Sequence, residues 1–209
     1  MQKIATPTLY RQELKERILK VAMQEFKLKG IKSVKMDDIA SLLSISKRTL
    51  YEIYANKEDL LLEGIQKDQD DLLLYIHDFA AKPENNVMDV MIEFFRIKME
   101  SLTLVTPQFF TELHKYQSIV NFLAKRHADD DLKAEMFFKK GIEEGFFRKD
   151  FDYKIVMRIS NAAMAHVMET QMYKEYDLQY VFRNVIFLFV RGFCTIKGLN
   201  KVDKLLEEY

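Results

Sequence analysis

Residues that cross-link, break or anchor a chain are scarce in this sequence of 209 residues. Cys194 is the one cysteine, so no disulfide forms within the chain, which favours a reducing compartment. The 6 glycines and 3 prolines are too few for turn-rich sandwiches, barrels or propellers. The longest stretch without a charged side chain, Ser101 to Thr111, is far shorter than the roughly 20 residues of a membrane helix. No apolar stretch typical of a signal peptide opens the sequence. We therefore expect a mostly helical, cytoplasmic protein without a membrane partner.

The chain has enough apolar residues for a core, and its charge is unevenly distributed. Hydrophobic residues make up 48% and charged residues 31%, which are globular rather than disordered values. The net charge is zero, yet residues 1–57 hold 12 Lys and Arg against 6 Asp and Glu, whereas residues 58–209 hold 20 against 26. A basic N-terminal part joined to an acidic remainder indicates nucleic-acid binding at one end, and it also fits an ordinary charged surface.

Apolar residues recur at helical spacing along most of the chain, and capping residues mark helix ends. Gly30 stands where a C-cap glycine ends the first helix, and Ser46 and Asn56 are good N-caps for the third and fourth. We predict an all-α fold with helices over residues 11–29, 36–43, 47–54, 57–81, 87–104, 107–116, 118–144, 153–173 and 178–197. A bend is expected near residues 129–131, and a short helix after Gly198.

Residues 36–54 combine a short helix, a tight break and a second short helix. This is the helix-turn-helix pattern, in which the second helix enters the major groove of DNA. Ala40 is small enough for two helices to approach closely, and the apolar residues Ile45 and Leu50 can fix the corner. The side chains that then point away from Leu50, towards solvent or DNA, are Lys47, Arg48, Thr49, Tyr51 and Glu52. Cations at the start of this helix attract phosphates, whose contacts set affinity and register.

Residues 30–60 and the helix before them resemble the N-terminal domain of TetR-family (tetracycline-repressor-like) transcriptional regulators. The family pattern is a first helix ending in Phe-x-x-x-Gly, then Ile-Ala, a turn with Val/Ile-Ser, Thr-Leu-Tyr, an aromatic residue and Lys-Glu-x-Leu. The matching residues are Phe26, Gly30, Ile39, Ala40, Ile45, Ser46, Thr49, Leu50, Tyr51, Tyr54, Lys57, Glu58 and Leu60. Their order and spacing make the set far more specific than any single piece.

This resemblance implies a sequence-specific DNA-binding regulator that is not an enzyme and uses no cofactor. It implies a helix-turn-helix DNA-binding domain over residues 1–56 and a helical ligand-binding and dimerisation domain over residues 57–209, joined by the helix that begins at Lys57. Family members bind palindromic operators in double-stranded DNA as homodimers. They usually repress, and they release DNA when a small molecule enters the C-terminal domain. A small apolar effector is the expectation for this chain.

The resemblance also assigns DNA contacts to individual residues. Tyr51 and Lys57 fall on positions that typically contact phosphates, and the first three residues of the second short helix fall on its reading face. Lys35 lies where Ser or Thr is common, and its ammonium can still reach a phosphate as a point charge. Ile53 stands where His or Tyr is common. The predicted DNA-binding residues are Lys35, Lys47, Arg48, Thr49, Tyr51 and Lys57.

The part of the chain after residue 57 is rich in Phe and Met, with 15 of 16 Phe and 8 of 11 Met. Packing core, dimer interface and ligand cavity are three competing roles for these residues, and the adaptable Met suits a pocket for varied apolar guests. By the resemblance, a cavity lies among the middle helices, where two histidines can orient a ligand by hydrogen bonds. The candidate ligand-binding residues are Phe95, Met99, Phe110, His114, Phe137, Met164 and His166.

Apolar and small residues also recur at helical spacing on the helices predicted over residues 153–173 and 178–197. The resemblance places a four-helix dimer interface here, and packing within one chain is the alternative. The residues concerned are Ile155, Ile159, Ala162, Ala163 and His166 on the first helix, and Val181, Val185, Leu188, Phe189 and Gly192 on the second.

No catalytic or metal-binding pattern accompanies these features. None of the four His has a Glu three residues before it, and there is no Gly-rich phosphate loop or Gly-x-Ser-x-Gly motif. His166 and Glu169 share a helix face and are interpreted as a hydrogen-bonded pair rather than a metal site, and Cys194 as a buried inert thiol. Two alternatives stay open: a helical small-molecule carrier, and an interaction protein whose helix-turn-helix contacts protein instead of DNA.

Overall fold

The computed structural model is all-α over the residues that it describes, which are residues 7–129 and 131–206 for the backbone and residues 9–126 and 133–204 for the side chains. Within these ranges the helices are α1 (Pro7–Lys29), α2 (Met36–Leu42), α3 (Lys47–Tyr51), α4 (Lys57–Ala80), α5 (Val87–Thr103), α6 (Pro107–Leu113), α7 (Gln117–Asp129), α8 (Asp131–Glu143), α9 (Tyr153–Glu169), α10 (Leu178–Phe193) and α11 (Ile196–Leu206). A 3-10 turn, Met172–Lys174, follows α9. None of the described helices has the length and apolar character that a membrane crossing requires.

The chain divides into two compact units. The first contains residues up to 71 and residues 108–121, and the second contains residues 72–107 and those from 122 onwards. Most of α6 and the start of α7 therefore belong to the first unit. The sequence predicts a functional boundary between residues 56 and 57, and that boundary stays a prediction. The division into compact units falls within α4 instead.

The first unit is built around fully buried side chains from α1 to α4. Ile18, Phe26, Ile39, Leu50 and Leu60 are all 0% exposed. Burying an aliphatic or aromatic side chain of this size contributes roughly 1.5–3 kcal/mol. Two of the residues predicted for the inner face of the helix-turn-helix, Ala40 and Leu50, are therefore part of the core, whereas Ile45 is only half-buried.

An aromatic cluster forms the centre of the second unit. The ring of Phe138 lies with its centroid 5.5 Å from Phe147, 5.1 Å from Tyr153 and 5.3 Å from Phe193. Such pairs contribute about 0.5–1.5 kcal/mol beyond the area that they bury. Cys194 is buried in the same core, and burial raises the pKa of its thiol to about 12. The prediction of a buried thiol is confirmed, and at neutral pH that thiol is protonated.

Four helices end three or four residues earlier than the sequence predicts: α3 ends at Tyr51 rather than at residue 54, α6 at Leu113 rather than at residue 116, and α9 and α10 each end four residues early. Helix α9 ends at Glu169 rather than at residue 173, because Gln171 adopts a left-handed conformation with a φ of 56°. Helix α10 ends at Phe193 rather than at residue 197. The Phe193 carbonyl there accepts a hydrogen bond from the Arg148 N–H at 2.9 Å, within an isolated antiparallel bridge.

Further differences concern the start, the middle and the end of the chain, and helix α1 begins at Pro7 rather than at residue 11. The single helix predicted over residues 118–144 is observed as α7 and α8. The expected bend falls at residue 130, which lies outside the described residues. The predicted short helix of the tail is confirmed as α11, which begins two residues before Gly198.

The turn between α2 and α3 places a non-glycine residue in the left-handed region. Ser44 has a φ of 54°, and its N–H donates to the Ser41 carbonyl at 3.1 Å. The next amide, that of Ile45, donates to the Ala40 carbonyl at 3.0 Å. This conformation costs an L-residue about 1–2 kcal/mol, whereas glycine adopts it readily.

Ser44→Gly is therefore expected to stabilise the protein by about 0.5–1 kcal/mol, after allowing for the larger backbone entropy of glycine. Ser41→Gly, inside α2, is the matched control and should destabilise by a similar amount because no strain is relieved there. Urea unfolding curves measure both changes. If Ser44→Gly loses as much stability as Ser41→Gly, then Ser44 carries no strain.

Candidate nucleic-acid interface

Helices α2 and α3 form a corner that is fixed from the inside. Ala40 is 1% exposed and Leu50 is 0% exposed, and Ile45 in the turn is half-buried. Because these apolar side chains point inward, the opposite faces of the two short helices are left to solvent. Residues 35–52 are referred to below as the reading corner.

Ser46 caps α3, as the sequence predicts. Its Oγ accepts a hydrogen bond from the backbone N–H of Thr49 at 3.0 Å, and the two hydroxyl oxygens lie 2.7 Å apart. A cap of this kind typically stabilises by about 1 kcal/mol. The Thr49 hydroxyl, assigned from the sequence to the reading face, is thus held in the cap of the first turn.

Both cations of α3 are held by carboxylates of the reading corner. Lys47 Nζ lies 2.5 Å from Asp37 Oδ2, and Arg48 Nε lies 2.9 Å from Glu52 Oε1. Hydrogen bonding to these carboxylates raises the pKa of Lys47 and of Arg48 above their ordinary values, so both cations are charged at neutral pH. All four side chains are exposed, and exposed pairs are weak and exchange readily with other partners.

Tyr51 and Lys35 are presented to solvent at the two ends of the reading corner. Tyr51, the last residue of α3, is 48% exposed. Lys35 is exposed at the N-cap of α2, where its backbone N–H donates to the Asp38 carboxylate at 2.9 Å. Both side chains are therefore exposed to solvent, and the DNA contacts expected of them stay a prediction.

Arg11, which the sequence analysis does not select, holds the C-terminal end of α3. Its Nη2 donates to the backbone carbonyl of Glu52 at 3.1 Å, across 41 positions of the chain. A cation at this end of a helix satisfies a carbonyl that has no intrahelical partner and complements the helix dipole. No sequence spacing signals this contact, because it depends on how α1 packs in the first unit.

Lys57, the first residue of α4, holds the turn between α1 and α2. Its Nζ donates to the carbonyls of Ile31 at 2.8 Å and Val34 at 3.0 Å. Partial burial lowers the pKa of Lys57, and the nearby Glu112 carboxylate acts in the opposite direction. An ammonium has three N–H donors, so one remains for the phosphate contact that the family resemblance implies. That contact stays a prediction.

Glu112 of α6 holds the same turn through its amides. It is a charged residue with only 5% exposure, and its carboxylate accepts the Lys32 N–H at 2.6 Å and the Gln108 side-chain amide at 3.1 Å. Burial alone would raise the pKa of Glu112, but the N–H donors of Lys32, Gln108 and Ile31 outweigh it and hold the pKa below its ordinary value. The sequence gives no sign of this role, because Glu112 lies 80 positions from Lys32.

The predicted ligand-binding residues are distributed over both units. Phe110 and His114 belong to the first unit, and His114 is exposed. In the second unit, Met164 is half-buried on α9 and His166 is exposed on the same helix. The ring of Phe137 packs in the aromatic cluster. A ligand-binding role for these residues stays a prediction.

The other two candidates, Phe95 and Met99, line a narrow cleft between α5 and α10. The remaining lining residues are Arg96, Phe182, Arg183, Ile186 and Phe187. The cleft encloses about 10 Å³ of free space. This is close to the minimum that holds one water molecule. An organic guest therefore needs the two helices to separate.

His166 and Glu169, the pair considered for a metal site, are both exposed on α9. Across the described side chains, no group of three or more His, Cys, Asp or Glu residues is placed to hold a metal ion.

Comparison with known proteins points, like the reading corner, to a helix-turn-helix transcriptional regulator. Residues 18–63 match the family model of bacterial regulatory proteins, tetR family. An uncharacterized HTH-type transcriptional regulator of Bacillus subtilis (strain 168), YvaF, is 25% identical over 167 residues, which cover 79% of this chain and 82% of the relative. Among solved structures, a TetR-family regulator from Agrobacterium tumefaciens is 12% identical with a TM-score of 0.67, over 88% of this chain and 100% of that one. The fatty acid degradation regulator FadR of Bacillus halodurans is 18% identical with a TM-score of 0.61, over 90% and 97%.

The reading corner, the all-α fold and these matches define a helix-turn-helix transcriptional regulator. Residues 18–63 carry the tetR-family domain, and over most of its length the chain is similar in fold to TetR-family transcriptional regulators. The predicted fold class is confirmed: an N-terminal helix-turn-helix domain followed by a helical domain.

Glu112→Gln tests whether the Glu112 carboxylate stabilises the turn between α1 and α2. The amide keeps an acceptor for the Lys32 N–H but loses the charge, so the variant should be less stable by about 1–3 kcal/mol at neutral pH. A carboxyl whose pKa is lowered by folding stabilises at pH above its unfolded value, and it loses that contribution as the pH falls through the lowered value.

The stability difference between the wild type and Glu112→Gln should therefore shrink as the pH falls below the ordinary carboxyl pKa of about 4.3. Thermal unfolding across this range measures it. Glu16→Gln, at an exposed position of α1, is the control and should have little effect. Equal stability of wild type and Glu112→Gln at neutral pH would contradict the assigned role.

Proposed function

We propose that this chain is a homodimeric repressor that reads a palindromic operator with α3 and releases it when a small apolar molecule enters the second unit. The reading corner carries the proposal for DNA. Lys47, Arg48 and Tyr51 occupy the exposed face of a short helix whose inner face is anchored by Leu50. Side chains of these types contact phosphates and base edges, and an α-helix fits the major groove.

Symmetry of a homodimer determines the form of the expected target. Two copies of α3 related by a two-fold axis require an inverted repeat, with half-sites about 34–36 Å apart or a wider spacing. The alternatives, a helical carrier or a protein-contacting module, require no duplex. Binding that weakens steeply with salt separates DNA binding from both, because phosphate contacts release counterions.

Selection from random duplexes at moderate salt is expected to recover an inverted repeat. The variant Arg48→Ala with Tyr51→Phe should lose it, with a cost of about 1–3 kcal/mol for a lost base contact. Lys67→Ala, an exposed cation of α4, is the control and should retain the repeat. Lys57→Ala is less suitable, because this lysine also holds the turn between α1 and α2. If the wild type enriches no sequence, with or without cell extract, then the proposal that α3 reads a DNA sequence is wrong.

The proposed dimer is supported by an apolar stripe that the second unit leaves exposed. Ile155 is 55%, Ile159 54% and Leu188 71% exposed, and Ala162 and Gly192 are small exposed residues on the same two helices. A Cβ added at Gly192 would meet no atom within 4 Å, so a partner helix could approach closely. Monomeric proteins rarely expose contiguous apolar stripes of this kind. A second copy of this chain is the proposed occupant.

The double variant Ile159→Glu with Leu188→Glu should be monomeric at 24.8 kDa, whereas the wild type should have twice that mass. Two buried carboxylates per copy would disrupt an apolar interface. Leu104→Glu is the control, because Leu104 is 63% exposed outside the stripe. Light scattering on a sizing column measures the masses. A monomeric wild type, or an intact dimer in the double variant, would contradict this interface.

The proposed effector site is the cleft between α5 and α10. Its walls include the aromatic and aliphatic side chains of Phe95, Met99 and Phe187, which suit an apolar guest. Helix α10 also carries part of the exposed stripe, so a guest that moves α10 would alter the proposed dimer. Such a guest shifts the equilibrium only by its differential affinity for the open and closed cleft.

We expect n-alkanols of increasing chain length to release a selected duplex with increasing potency, because longer chains bury more apolar surface. Ile186→Phe, which fills the cleft, should blunt the response. Fluorescence anisotropy of a labelled duplex measures the release. Equal release in the wild type and in Ile186→Phe would place the effector site elsewhere.

A further inference from the structure

The reading corner has no excess of positive charge, although residues 1–57 as a whole do. Its six charged residues are Lys35, Lys47 and Arg48, matched by Asp37, Asp38 and Glu52. The basic excess of the N-terminal part therefore lies outside the two helices that would approach DNA. The contribution of the reading corner to phosphate affinity then depends on how these six charges are arranged.

Two of the three carboxylates form salt bridges with the cations of α3. Lys47 is 2.5 Å from Asp37, and Arg48 is 2.9 Å from Glu52. The side chains of Lys47 and Arg48 are 65% and 89% exposed, so the pairs lie on the surface that DNA would cover. The Glu52 backbone is itself held by Arg11, which keeps this acid at the end of α3.

A phosphate that binds either cation must displace its carboxylate or share the cation with it, because Asp37 and Glu52 each occupy only part of the donors of Lys47 and Arg48. A free lysine or arginine gains affinity by releasing counterions from DNA. Each such contact steepens the slope of log K against log salt by about 0.9. A cation that is already neutralised by its own carboxylate brings no net charge to the complex. Whether it is displaced or shares the cation, the carboxylate then stands next to the phosphates and is repelled by them.

We propose that Asp37 and Glu52 compete internally with the DNA backbone and set the strength of sequence-independent binding. This inference rests on the proposed DNA-binding role of the reading corner. Its consequence is weak attraction to DNA in general, which matters because a genome offers a very large excess of non-specific sites. Contacts to base edges then make the larger contribution to affinity for the correct site.

The test measures binding of the full-length chain to a mixed-sequence duplex by fluorescence anisotropy at several salt concentrations. Asp37→Asn and Glu52→Gln each remove one negative charge while keeping the shape of the side chain. Each should tighten binding about threefold, as expected for removing a unit charge about 7 Å from a phosphate in water. Each should also steepen the slope of log K against log salt by up to about 0.9.

Asp71→Asn is the matched control, because Asp71 forms a comparable exposed pair with Lys67 in the same unit, 3.3 Å apart. Asp71 lies about 21 Å along α4 from residue 57, at about 1.5 Å per residue, which is about twice the screening length of about 10 Å at 0.1 M salt. The affinity and the salt slope of the Asp71→Asn variant should match those of the wild type.

The outcomes separate this inference from the proposed function. Tighter binding and steeper slopes in Asp37→Asn and Glu52→Gln, with Asp71→Asn unchanged, would support internal competition. Two results would overturn the inference and still leave DNA binding supported. In the first, the wild type binds duplex and both variants bind it with the same affinity and salt slope. In the second, Asp71→Asn binds duplex as much more tightly as the two variants do. A wild type that binds no duplex even at the lowest salt would overturn both.

Discussion

The hydrogen bonding of the turn between α1 and α2 determines where the reading corner stands in the first unit. Buried backbone groups of a turn need partners, since the regular helix ladder gives them none. Lys57 supplies donors for two carbonyls of this turn, and Glu112 supplies a carboxylate for its amides. Removing either side chain leaves buried polar groups unpaired, which costs more than the bond itself contributes. Helix α2 begins directly after this turn, so the path of the chain into the corner depends on both residues.

The chain reversal at the same place also depends on Gly30. Its φ of 82° is accessible to glycine and strained for other residues, and an added Cβ would lie 2.8 Å from the Gln108 side chain. Gln108 in turn donates to Glu112. The contacts of Gln108 and Glu112 therefore make helix α6 part of the first unit. A domain built only from α1, α2 and α3 would lack these contacts.

The sequence was sufficient to predict features that depend on local chemistry. The helix-turn-helix, the Ser46 cap and the C-cap at Gly30 follow from neighbouring residues, and all three are observed. Features that depend on contacts between distant segments were missed. Glu112 and Arg11 meet partners 80 and 41 positions away, which no spacing reveals. The carboxylate partners of Lys47 and Arg48 are not predicted either. Asp37 lies 10 positions from Lys47, on another helix, whereas the i,i+4 spacing of Arg48 and Glu52 does signal their pair. The ends of α9 and α10 depend on a left-handed residue and an isolated bridge, which periodicity does not encode.

The central claim is that DNA lies against the reading corner. Hydrogen–deuterium exchange of the wild type, with and without a duplex at low salt, tests it most directly. Exchange is expected to slow in peptides that cover residues 35–54 when duplex is bound, with no change in residues 155–166 of α9. Bound duplex without added protection in residues 35–54 would contradict it.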